Sequence, residues 1–119
     1  RKESVAMQAL ERVGLGSKSK RLPSQISGGE KERVAVARAI VNSPPIVLAD
    51  EPTGNLDSNN SKGIMHLLKK LNQSGTTIIM VTHSAACAAY AQRVLQVKDG
   101  RLDNENSCVC PPGTSVRAA

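Results

Sequence analysis

Aromatic residues are almost absent from this chain of 119 residues. Tyr90 is the only one, with no Phe and no Trp. Whatever core forms must therefore be aliphatic. A row of rings on which unpaired bases could stack is also excluded, which argues against single-stranded nucleic acid as a ligand. Cysteine is scarce as well. Cys87, Cys108 and Cys110 are an odd number with no repeated C-x-x-C spacing, which fits neither a disulfide framework nor a structural zinc site. Cys108-Val109-Cys110 lacks the second pair of ligands that a soft metal would need. A reducing cytosol is the compartment this usage fits. No apolar run is long enough to span a membrane, and no signal-peptide pattern opens the chain. Arg1 rather than Met stands first, from which a longer natural chain is expected.

What is present is an alternation of two hydrophobic periods. Glu3 to Val13 places Val5, Ala6, Ala9, Leu10 and Val13 at helical spacing, and Gly14 and Gly16 stop it. A basic loop with Lys18, Lys20 and Arg21 leads to Pro23, near Lys31 and Arg33. The net charge is +6, which reads either as a solvated surface or as a polyanion-binding one. A second helix opens at Ile26-Ser27-Gly28-Gly29-Glu30 and runs to about Val41, ended by Asn42-Ser43-Pro44-Pro45.

Ile46-Val47-Leu48-Ala49 is a short apolar run, the pattern of a strand buried on both faces of a parallel sheet. Asp50 and Glu51 close it, at the strand end where open α/β sheets bind ligands. If strand geometry persists there, the two carboxylates point to opposite sides. Gly54-Asn55-Leu56-Asp57 is a turn, and Asp57 or Ser58 caps a third helix carrying Ile64, Leu67, Leu68 and Leu71. Gly63 is a mild liability inside it, and Gly75 lies beyond its end. Thr76 to Val81 is a second β run leading to His83, and Ser84 caps a short helix to about Tyr90. Arg93 to Lys98 reads as a third strand, Asp99-Gly100 as a hairpin turn, and Arg101-Leu102 as the start of a return strand. Residues 1–102 thus form one α/β domain with a parallel sheet, and 103–119, rich in Asn, Ser, Pro and Gly, are expected to be a disordered tail.

Four features stand in a fixed order: Ile26 to Glu30, Ile46 to Glu51, Gly54 to Asp57, and His83 at a strand end. Together they resemble the C-terminal half of an ABC-transporter ATP-binding domain, over roughly Leu22 to Leu102. Ala49 to Asp57 is most similar to the bacterial macrolide-export and lipoprotein-release branch. The fold so implied is the C-terminal part of a P-loop NTPase sheet core with a piece of the helical subdomain. Ser27, Gly28, Gly29 and Glu30 match the signature motif, whose helix N-terminus would meet the nucleotide held by the opposite subunit. Ile26 stands in place of the usual leucine, and Glu30 in place of the common glutamine. Asp50 matches the aspartate that holds Mg2+ through water, and Glu51 the general base that orients the hydrolytic water. Asp57 matches the aspartate that links two subunits, and His83 the switch histidine that would contact γ-phosphate.

The resemblance implies ATP and Mg2+ as ligands, a second ATP-binding subunit and a transmembrane permease as partners, no nucleic acid, and a place on the cytoplasmic face of the bacterial inner membrane. Against it stands an absence: no G-x-x-x-x-G-K-S/T occurs in the 119 residues, and Gly14 to Ser19 has the wrong spacing. Without that cradle no backbone nest holds the β-phosphate. The chain is therefore expected to be an incomplete copy, inactive alone and with an exposed apolar sheet edge. A non-catalytic module docking on a complete ATPase or a membrane partner is the alternative. A DNA-organising ATPase is a third reading, motivated by the basic balance and opposed by the lack of flanking heptads.

Overall fold

The computed structural model describes residues 1–103 and 116–118. Helix α1 (Lys2–Arg12) carries Glu3 in its first turn and Arg12 in its last, the signs that the helix dipole favours. It turns through Gly14 and single 3-10 turns at Gly16–Lys18 and Pro23–Gln25 into helix α2 (Gly28–Ile40). Strand β1 (Ile46–Asp50), helix α3 (Ser58–Gln73) and strand β2 (Thr77–Val81) follow. After the short helix α4 (Ala85–Ala88) come β3 (Arg93–Val94), β4 (Gln96–Lys98), β5 (Arg101–Asp103) and β6 (Val116–Ala118).

The main sheet has the order β1-β2-β6-β3, and every pair in it is parallel. That is the architecture the alternation of strands and helices implies. The register sets Val47 beside Ile78 and Ala49 beside Met80 on one face, with Leu48 beside Ile79 on the other. Helix α3 covers the first face with Ile64, Met65, Leu67, Leu68 and Leu71, and α2 adds Val36, Ala37 and Ile40 to the same core. Val13 and Leu15 close it at the end of α1.

Three expectations change. The β1 run is not buried on both faces: only Val47 is, whereas Leu48 is 76% exposed. Among the described residues the strand lies at the sheet edge and no helix covers its second face. The predicted strand over 93–98 breaks at Leu95 into β3, which joins the main sheet, and β4, which pairs antiparallel with β5. Asp99 and Gly100 both take positive φ in the tight turn between β4 and β5, as a right-twisted hairpin requires. Finally, Val116–Ala118 form a strand although the tail is predicted to lack one. Backbone N–H and C=O groups along β2 and β3 offer a parallel slot there, and pairing satisfies both sides. Residues 104–115 and 119, the rest of the tail expected to be disordered, lie outside the described residues.

Gly63 lies under the Arg33 side chain. A Cβ at this position would meet the Arg33 guanidinium Nη2 at 2.8 Å, so its absence leaves that side chain free to lie over α3, although the tip of an arginine could also move aside.

Candidate functional site

The C-terminal ends of β1 and β2 converge because the two strands are parallel and in register, with Asp50 beside Val81. The strand geometry stops at Asp50. Glu51 has φ +45, a left-handed conformation that costs a non-glycine residue about 1–3 kcal/mol and is kept only where surroundings enforce it. Here its N–H donates to Val81 O at 2.8 Å, its carbonyl accepts from Gly54 N–H at 3.1 Å, and Pro52 behind it is buried. Strand alternation therefore does not decide where Glu51 points. The turn does, and it swings the carboxylate across to the end of β2.

There Glu51 Oε1 accepts from the His83 backbone N–H at 2.7 Å and lies 3.6 Å from His83 Nε2. Thr82 Oγ1 is 3.4 Å from Glu51 Oε2 and accepts from Ser84 N–H at 3.0 Å. The His83 ring is almost fully exposed, while the Glu51 side chain is about one-third exposed. An acid held by backbone and hydroxyl donors beside an accessible imidazole can fix a water and take its proton. A cleft of about 630 Å³ opens next to the pair, lined by Val81, Thr82, His83, Leu95 and Lys98 among others. Thr82 is a site residue the sequence reading passed over; its position directly before His83 was the available signal.

Asp50 is exposed at the end of β1. Among the described residues no three His, Cys, Asp or Glu side chains converge as a protein-built metal centre. One exposed carboxylate fits Mg2+ nonetheless. That ion keeps several waters and is commonly held by one or two carboxylates together with substrate phosphates.

Ser27 caps α2. Its Oγ accepts from Glu30 N–H at 3.2 Å, and Glu30 Oε2 accepts from Ser27 N–H at 3.1 Å, a reciprocal capping box. The Glu30 carboxylate also pairs with Lys18, and this contact, followed by the Ser27 N–H bond, holds its carboxyl below the usual range. The N–H groups of Gly28 and Gly29 have no partner among the described residues, the normal state of a first helical turn and a ready anion contact. Asp57 caps α3, accepting from the Asn60 side chain at 2.5 Å and from its N–H at 3.5 Å. Hydrogen bonding from Asn60 is also the main cause that holds Asp57 below its ordinary value. Thus the structure brings Asp50, Glu51 and His83 to one strand end. Ser27 to Glu30 and Asp57 form a second group, at the N-termini of α2 and α3.

A sequence profile of the ABC transporter family matches residues 1–54. The macrolide export ATP-binding/permease protein MacB of Chlorobium luteolum is 50% identical over 114 residues, 93% of this chain and 17% of that protein. The lipoprotein-releasing system ATP-binding protein LolD of Aquifex aeolicus is 50% identical over 96 residues, 81% of this chain and 43% of its own length. Among solved structures, the dimeric post-hydrolysis state of the ATP-binding cassette MJ0796 bound to ADP and Pi superposes with a TM-score of 0.72 at 40% identity. It covers 87% of this chain and 46% of that one. The chain spans less than half the length of each of these relatives.

Proposed function

Because the chain belongs to the ABC transporter family of ATP-binding domains, we propose that it carries the hydrolytic half of an ATPase that drives transport across a bacterial membrane. The observation that carries this reading is the convergence of Glu51 and His83, 3.6 Å apart, at the ends of adjacent parallel strands with Asp50 alongside. Glu51 takes the proton of the attacking water. His83, exposed at the rim of the cleft, contacts the terminal phosphate and holds that water in line. Asp50 would hold Mg2+ through its water shell, a site where the ion would supply charge neutralisation for the phosphates.

No phosphate cradle occurs within the 119 residues, so polypeptide outside them provides it. Next to the Ser27 cap, Gly28 and Gly29 present free N–H groups and a positive helix end to a nucleotide bound on a second ATP-binding subunit, and Asp57 contacts that subunit. A permease subunit or domain is the membrane partner. The proposed contact with it lies at the cytoplasmic face; among the described residues no helix is long and apolar enough to cross a membrane.

The test is ATP hydrolysis by the complete protein bearing these residues. Glu51→Gln is expected to abolish turnover, a loss of at least about 10²-fold, and to accumulate an ATP-bound dimer on gel filtration. Normal turnover in that variant removes the assignment. Association with a transporter that is insensitive to Glu51→Gln, with no hydrolysis in the wild type, replaces it by the non-catalytic docking reading.

A further inference from the structure

Two adjacent glycines open α2, and the fold treats them differently. A Cβ on Gly28 would meet nothing within 4 Å. One on Gly29, which is buried, would collide with the side chain of Asn60. Asn60 sits in the first turn of α3, three residues after Asp57, and its Nδ2 donates to Asp57 Oδ1 at 2.5 Å. A single amide side chain therefore lies against the backbone of one motif and holds the carboxylate of the other. One turn further on the contact repeats, with Arg33 over Gly63. Arg33 Nη1 also donates to Val13 O at 3.1 Å, which ties α2 to the end of α1.

We propose that Asn60 is a positioning residue that locks the Ser27–Gly29 turn and Asp57 into one rigid unit, and that position 29 is glycine because of Asn60 while position 28 stays open for a ligand. The functional half of this statement rests on the reading that both motifs face a nucleotide held by a second subunit; the clamp itself does not. Asparagine suits the place. Its side chain is short, its amide nitrogen serves Asp57, and its oxygen end lies where a methyl at position 29 would push it away. Displacing that amide removes the main hydrogen bond that lowers the Asp57 carboxyl, so the titration of Asp57 reports whether the clamp is closed.

The experiment compares Gly28→Ala, Gly29→Ala, Asn60→Ala and the Gly29→Ala/Asn60→Ala double variant of the full chain. The readouts are the thermal midpoint and the NMR titration of the Asp57 carboxyl. Gly28→Ala is expected to lower neither. Gly29→Ala should drop the midpoint by roughly 5–10 °C through overpacking and raise the Asp57 pKa toward the ordinary range. Truncating Asn60 should raise the Asp57 pKa as well, and adding it to Gly29→Ala should restore the midpoint to that of Asn60→Ala. In the complete protein, Asn60→Ala should weaken ATP-driven dimerisation several-fold, with no further loss from Gly29→Ala.

An Asp57 titration unchanged by Gly29→Ala, or losses that add in the double variant, overturn the proposal. If Gly29→Ala alone does not fold, the double variant decides: a folded protein is expected, and an unfolded one overturns the clamp. The midpoint and the titration need no nucleotide, so they stand or fall independently of the Glu51→Gln result.

Discussion

On one face of the β1–β2 pair, Ile78 and Met80 are wholly buried beneath α3; on the other, Leu48 is 76% exposed, Ile46 53% and Val81 43%. The residue types are the same, and so is the backbone that carries them. The difference is the covering layer. Helix α3 follows β1 directly and returns to β2, so its apolar stripe lies on one side only. Apolar content in a strand thus says that the strand is made to be covered, and chain placed elsewhere decides whether it is. A bare aliphatic face next to an edge strand suits contact with further polypeptide.

That contrast can be tested by substitution. Ile78→Ala opens a cavity under α3 and should cost about 2–5 kcal/mol of unfolding free energy, read as a lower denaturant midpoint. A loss near zero would mean that α3 does not seal this face. Ser27→Ala removes the α2 cap and should cost about 1 kcal/mol, seen as a smaller shift in the same measurement.

Acid should loosen the helix starts as well. Glu30 and Asp57 both have carboxyls held below their ordinary values, 4.5 and 3.8. A depressed carboxyl stabilises the fold fully above its unfolded value and loses that contribution as pH falls through its folded value. Stability should therefore be flat above about pH 4.5 and decline below it. Glu30→Gln should blunt the decline in an acid titration followed by circular dichroism. Smallest of all, Leu48→Lys on the bare face should shift stability by no more than about 0.5 kcal/mol while reducing self-association in sedimentation. Unfolding of Leu48→Lys would show that this face is covered after all.

Much of the candidate site is readable from residue order. The Ser27–Glu30 capping box, the Asp57 cap and the Asp50-Glu51 strand end all depend on bonds among near neighbours, and short spacings record them. Helix limits follow for the same reason: Gly14 and Gly75, both at positive φ, stand just past α1 and α3. Other features had no local signature. Glu51 leaves strand geometry because Val81 O, 30 positions away along the chain, takes its N–H. Strand β6 takes its place through pairing with β2 and β3. Gly29 faces Asn60 only because α2 and α3 start side by side.

The amino-acid sequence by itself determined the alternation of helix and strand, the caps and turns, and the order of the chemical motifs. Each of these is written in contacts between residues a few positions apart. Tertiary structure alone decided which sheet face is covered, where the Glu51 carboxylate points, and which glycine is pinned by a neighbour. Those outcomes depend on contacts between residues far apart in the chain, and the spacing of residues within one segment carries no record of what will be packed against it.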